Sequence, residues 1–272
     1  MLLLRLILFL MLILNFSTGC NPSRCRVARA TPDDDSEIIA RESGRTCNKG
    51  KGVKIAIGIQ TVHCNVLSFT RKIDVCVNNK RNPQQTYWVK HKLEKGTTRC
   101  PSQSWKSDFL QGNVNEFYKN HRNFEGDTYD KGHLAPKCDF ETELEQRMTF
   151  YYINAAPQWA PVNQRIWKYF EQGVRRQATG NQRYIITGTV GSRNNDVINI
   201  PKYFFKIVLP ERVVYIGVNY NNALNENVKL CQPLNTCDYI SPTTQMYCCD
   251  LDNDLLEELG LEQRDLFNDL DY

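Results

Sequence analysis

Of the four histidines in the chain, His63, His91, His121 and His133, only the last sits in a context suited to chemistry. It lies in Tyr129-Asp130-Lys131-Gly132-His133-Leu134-Ala135-Pro136. Gly132 lets the backbone turn sharply and Pro136 stiffens the exit. Asp130 can orient the imidazole or hold the local turn. A neutral imidazole with an ordinary pKa of about 6.5 is a suitable general base near neutral pH. A second constellation runs from Asn154 through Pro157-Gln158 to Asn163, Trp167 and Glu171. The last three fall at i, i+4 and i+8, one stripe of a helix, and helical side chains lean Glu171 back toward Asn163. An amide oxygen and a carboxylate are hard ligands that suit Mg²⁺, an ion that keeps most of its waters. Taken singly, Asn163 reads better as a helix N-cap and Glu171 as a solvated face residue than as metal-site groups.

Those residues need elements to hold them. Val53–Ile57, Val66–Val77 and Thr86–Leu93 read as strands, followed by a loop over 94–123. Gly126, Gly132 and Pro136 exclude a long helix over Glu125–Phe140. Ile166, Phe170 and Val174 recur at helical spacing until Gly180. Tyr184–Val190, Tyr203–Leu209 and Val213–Val218 read as further strands, and Leu255, Leu256, Leu259 and Leu261 as a short docked helix. No repeat or low-complexity linker divides the chain, so the expectation is one α+β domain.

Length and composition bound the answer. With 272 residues, 41% hydrophobic and 24% charged, the chain can bury a sizeable core, and extensive disorder, a coiled coil and a collagen-like repeat are excluded. Leu6–Leu14 is an apolar run behind Arg5, and Ser17-Thr18-Gly19 offers small residues for cleavage. The run is shorter than the about 20 residues of a membrane span, so residues 1–19 are expected to be a signal peptide and the product secreted, without a membrane partner. Residues 20–54 read as a cysteine-containing lead-in and 55–272 as the domain, its acidic end included. Eleven cysteines fit an oxidising compartment, and the odd number leaves at least one outside intrachain pairs. No CxxC pair with partnered histidines occurs, which argues against structural zinc. Nine acidic residues and one basic fall in Asp250–Tyr272, leaving 33 basic and 21 acidic before it. A body this basic suits a polyanionic partner.

The two chemical segments together are far more specific than either alone. Asp-Lys-Gly-His-Leu-Ala-Pro, then Asn-x-x-Pro-Gln-x-x-x-x-Asn-x-x-x-Trp-x-x-x-Glu, resembles the DNA/RNA non-specific endonucleases, the ββα-metal nuclease group. Tyr87-Trp88-Val89, Ile186-Thr187-Gly188, Ile200-Pro201-Lys202-Tyr203 and Leu255–Leu261 agree in order, so the resemblance spans roughly Thr86 to Leu261.

The resemblance implies a ββα-metal fold, here disulfide-stabilised, with a central antiparallel sheet flanked by helices. It implies Mg²⁺-dependent hydrolysis of DNA or RNA phosphodiesters to 5′-phosphate products, with Mn²⁺ as the other metal to consider. His133 looks like the general base, Asn163 like the single direct protein ligand of the metal, and Glu171 like the carboxylate that holds metal-bound water. Asp130 and Asn154 look like supports of the site. Arg99 is the candidate for the arginine that stabilises charge on phosphorus. Two departures stand out: Lys131 replaces the usual arginine, and Phe150 an asparagine that some members place near the metal. A homodimer is compatible with the family, though no dimer surface is legible. The competing reading is an inactive secreted module that binds nucleic acid or another polyanion; an intact His133, Asn163 and Glu171 set argues against it.

Overall fold

The computed structural model describes residues 36–63, 66–78, 80, 85–93, 97, 99–107, 109, 116, 118, 123–124, 127–178, 183–193, 199–221 and 229–267. The expected signal peptide, Cys20, Cys25, Cys64 and the Gly180 helix stop lie outside the described residues. Two compact units divide the chain: a small one includes Gln60–Phe69, and a large one holds Ile38–Ile59 and Thr70 onward. Apart from Glu37 and residues 60–63 and 66–69, which belong to the small unit, the described residues discussed below lie in the large one.

Among the described residues eleven strands run in chain order: β1 (Glu37–Cys47), β2 (Gly52–His63), β3 (Val66–Asn78), β4 (Gln85–Leu93), β5 (Asn123–Phe124), β6 (Asp127–His133), β7 (Ala155–Trp159), β8 (Arg183–Val190), β9 (Tyr203–Leu209), β10 (Val213–Val218) and β11 (Met246–Asp250). Eight form one sheet in the order β1-β2-β3-β4-β8-β9-β10-β11, and β5-β6-β7 form a smaller one. Every pair from β3 to β11 is antiparallel, as are β5–β6 and β6–β7. The α-helices whose bounds are described include α1 (Glu143–Met148), α2 (Lys168–Gln177) and α3 (Asn253–Glu258).

Both faces of the large sheet are covered, which explains why β8 to β10 read as nearly continuous apolar runs. Alternate residues separate onto the two faces. Val89, Ile185, Phe204 and Val208 pack with Leu134, Tyr152, Trp167 and Phe170 of the layer that carries the chemical segments. Trp88, Ile186, Phe205 and Ile207 pack on the other face with Leu255, Leu256, Leu259 and Leu261. The acidic C-terminal segment therefore covers the face opposite His133. Lys54 donates to Asp265 at 2.6 Å and Lys90 to the Asp265 carbonyl at 2.9 Å, so buried cations fasten that segment.

Three local results differ from the sequence reading. Glu37–Cys47, placed in the lead-in, is the edge strand β1; it has few apolar residues because it is half exposed, and the Cys47–Cys76 bond ties its end to β3. β7 and β11 went unread because Pro157 and the paired cysteines mask short strands. The third concerns the helix that follows Pro161: it opens with a π turn, Val162–Trp167, that continues into α2. Asn163 thus lies inside the helix and does not cap it.

Four disulfides join described cysteines: Cys47–Cys76, Cys100–Cys138, Cys231–Cys249 and Cys237–Cys248.

Candidate active site

β6 and β7 form a hairpin whose register sets Asp130 opposite Gln158 and His133 opposite Ala155. A Cβ on Gly132 would come within 2.5 Å of the Gln158 side chain, so this close approach requires glycine. The chain leaves β6 through Leu134-Ala135-Pro136 into a single 3₁₀ turn, Lys137–Asp139. Asn154 clamps this exit. Its Oδ1 accepts from the Ala135 amide at 2.8 Å, while Nδ2 donates to the Ala135 carbonyl at 2.8 Å and the Thr149 carbonyl at 2.9 Å. Fully buried and satisfied, Asn154 supports His133 from below without lining the cavity.

A cavity of about 920 Å³ opens over the hairpin and helix and is lined by His133, Asn163, Glu171 and Asp130 among others. The His133 ring lies 4.6 Å from Trp105 and meets Phe150 edge-on at 4.9 Å. Its Nε2 is buried without a hydrogen-bond partner among the described residues. Burial, and then the Lys137 charge, push its pKa down to about 3, so the ring is neutral near pH 7 but less basic than the ordinary imidazole the sequence reading assumed.

Asn163 donates through Nδ2 to Asp130 Oδ2 at 3.0 Å, and Gln164 donates to the same oxygen at 2.8 Å. A carboxylate only accepts, so this bond fixes the amide with Oδ1 as its available ligand atom. Glu171 Oε1 is buried without a hydrogen-bond partner among the described residues, and the Lys206 ammonium stands 3.6 Å away. Burial pushes the Glu171 carboxyl up and the Lys206 amine down. The π turn separates the sequence stripe: Asn163 and Glu171 line the cavity, while Trp167 turns into the core against Phe170 and Phe204. Gly217 makes room for it, since a Cβ there would meet the indole at 3.0 Å.

The donor set fits a hard, mostly hydrated cation. Among the described residues no group of three or more His, Cys, Asp and Glu side chains forms a metal cage. Asn163, its amide oriented by Asp130, and the buried carboxylate of Glu171 line the cavity instead, hard oxygen donors that suit Mg²⁺ better than a thiophilic metal.

The structure brings His133, Asp130, Asn163 and Glu171 to one cavity and places Asn154 beneath it. Arg99 does not join them: it is exposed and does not line the cavity, while Lys131, Lys137, Lys168 and Arg175 do. Arg175 donates to Asp139 at 2.7 Å, and Asp139 accepts from buried His91 at 2.8 Å. Burial alone would raise the Asp139 carboxyl, but the His91 bond and Arg175 hold it below the usual range. Lys131 lies 5.1 to 5.9 Å from the rings of Tyr152, Tyr118 and Trp105, an aromatic seat for its ammonium. Sequence reasoning missed Arg175, although its i+4 spacing from Glu171 was a usable signal. It also missed Trp105, Lys168 and Lys206, which only tertiary packing brings to the site.

The sequence profile of the DNA/RNA non-specific endonucleases matches residues 52–253. A salivary endonuclease of Lutzomyia longipalpis is 32% identical over 147 residues, 47% of this chain and 34% of its own length. A nuclease of Nostoc sp. is 32% identical over 91 residues, 32% of this chain and 33% of its own length. The matched regions thus span about a third of each of these relatives. With a family profile covering most of the chain, and with the hairpin, turn and helix arranged around one cavity, the chain belongs to the DNA/RNA non-specific endonuclease family.

Proposed function

We propose that this protein is a secreted, Mg²⁺-dependent endonuclease that hydrolyses phosphodiester bonds of DNA or RNA, leaving 5′-phosphate ends, on a ββα-metal unit formed by β6, β7 and the helix Val162–Gln177. The observation that carries the reading is a shared cavity lined by His133, whose Nε2 is buried without a hydrogen-bond partner among the described residues, and by Glu171, whose buried Oε1 has the Lys206 ammonium 3.6 Å away, under a rim of four cations. A group poised to accept a proton and a group poised to hold a hydrated cation are what phosphodiester hydrolysis requires. Secretion is supported by the disulfides, the apolar leader and the salivary source of one relative.

His133 Nε2 takes the proton of the attacking water, and Trp105 and Phe150 hold the ring in place. Asn163 Oδ1 would hold the metal directly, with Asp130 fixing the amide and Glu171 holding water around the ion. Mg²⁺, when bound, neutralises phosphate charge and stabilises the departing oxygen. Arg175, Lys131 and Lys137 stand where charge develops on phosphoryl oxygens. Because such contacts go to phosphate and sugar, little base preference is expected.

Digestion of plasmid and single-stranded RNA, with Mg²⁺ and with EDTA, tests the proposal when wild type is run beside His133→Ala. Cutting that needs both metal and His133 supports it and ranks the two substrates. Undiminished cutting by His133→Ala removes the base, and a folded wild type that cuts neither polymer removes the nuclease.

A further inference from the structure

A second concavity adjoins the first. It encloses about 450 Å³ and is lined by Thr128, Trp159, Ala160, Gln164, Arg165 and Asn221 among others. Gln164 lines both cavities, so the two meet at its side chain. From there the helix turns an exposed ridge outward. Arg165, Lys168, Tyr169 and Arg176 are exposed along it, with Gln172 half-buried among them. Tyr169, Gln172 and Arg176 recur at i, i+3 and i+7, one stripe of α2, and Arg165 precedes them on the π turn.

The chemistry of this ridge is one-sided. The single carboxylate of the helix, Glu171, faces the active-site cavity and is mostly buried. The other carboxylate lining that cavity is Asp130, whose Oδ2 is already occupied by Asn163 and Gln164. Arg165 and Lys168 form no ion pair among the described residues. Tyr169 is 65% exposed, one of four large hydrophobic side chains left open among the described residues, and it stands between the cations. Arginines flanking an open aromatic ring suit a strand of nucleic acid, with phosphates on the cations and a base or sugar on the ring. From Arg165 to Arg176 the helix rises about 16 Å, the axial length of roughly five nucleotides of one duplex strand.

We propose that this ridge, entered past Gln164, is the track that holds the polynucleotide to one side of the cleaved bond, with Arg165 as a phosphate contact and Tyr169 as a stacking surface. The proposal deepens the nuclease reading and rests on it for the position of the cleaved bond. Continuity with the active-site cavity and complementary charge select nucleic acid as the occupant.

The test is equilibrium binding of a labelled single-stranded DNA in EDTA, which does not depend on turnover, over about 50 to 200 mM salt. Arg165→Glu should weaken binding and flatten the dependence of log affinity on log salt by about 0.7 per lost phosphate contact. Arg165→Lys should keep the wild-type slope, since charge is the requirement. Tyr169→Ala should weaken binding at least about fivefold with the slope retained, because stacking releases no counterions. Arg212→Glu, an exposed arginine on the turn between β9 and β10, should bind as wild type. Wild-type affinity and slope in both Arg165→Glu and Tyr169→Ala would overturn the track. A wild type that shows the expected binding but cuts nothing with Mg²⁺ would leave the track standing and overturn the nuclease reading.

Discussion

At the scale of single residues, the site depends on keeping His133 neutral. Burial and Lys137 push its pKa down to about 3, whereas the unfolded chain protonates it below about 6.5. Between those values the unfolded state binds the extra proton, so stability is fully present above about pH 6.5 and declines as pH falls toward 3. Buried His91, its pKa lowered by burial against the Asp139 bond, adds to the same trend. Thermal unfolding should therefore occur several degrees lower at about pH 5 than at about pH 7, and His133→Phe should narrow the difference. An equal drop in wild type and variant would contradict the assignment. Much of the candidate site was legible from residue types and spacing: His133, Asn163 and Glu171, singled out by their order and distance, line one cavity. Lys206 was not, because a lysine in the strand Tyr203–Leu209 gives no local sign that it points at a carboxylate. Gly132 makes a sharper prediction. Alanine there collides with Gln158 across the hairpin and should cost activity well beyond its small volume, checked by kcat beside an unfolding curve.

At the scale of elements, the loop over residues 99–107 acts as a wall. The Cys100–Cys138 bond ties it to the turn after His133, and Lys106 exchanges backbone hydrogen bonds with Phe150 and Tyr152 at 2.9 Å each. Those ties press Trp105 against the His133 ring. Replacing both cysteines by serine opens a 38-residue loop and should cost about 4 kcal/mol of stability on the chain-entropy account. If the wall also positions the base, kcat should fall about tenfold in the fraction that stays folded, as the loss of one aromatic contact allows. Retained kcat would show that the bond serves stability alone. The strands of the large sheet were legible because their apolar runs are long. The π turn was not, since nothing in Val162–Trp167 distinguishes it from an ordinary helical start. It is set by Trp167 entering the space above Gly217 while Asn163 turns toward Asp130.

At the scale of the whole molecule, the large sheet separates chemistry from anchorage. The acidic end packs on the face away from His133, so its charge does not screen the basic cavity. Leu256→Ala, in the center of that packing, should cost about 3 kcal/mol as a cavity-forming change. It should leave kcat/KM of the folded enzyme intact, and a loss of catalysis at full folding would show that the two faces communicate. The remaining feature is the pair of adjacent cysteines on β11. Neighbouring strand residues point to opposite faces, so Cys248 and Cys249 cannot be satisfied from the same side. The chain between Cys231 and Cys237 passes around the sheet's outer strand, and the Leu234 amide bonds the Cys248 carbonyl at 2.8 Å on the way. Once the sheet exists, each partner can reach only the sulfur on its own side, and the exchanged pairing is topologically closed. Oxidative refolding should therefore give mixed Cys248 and Cys249 pairings before β11 docks and the native pair afterwards, which mapping the bonds of trapped intermediates checks.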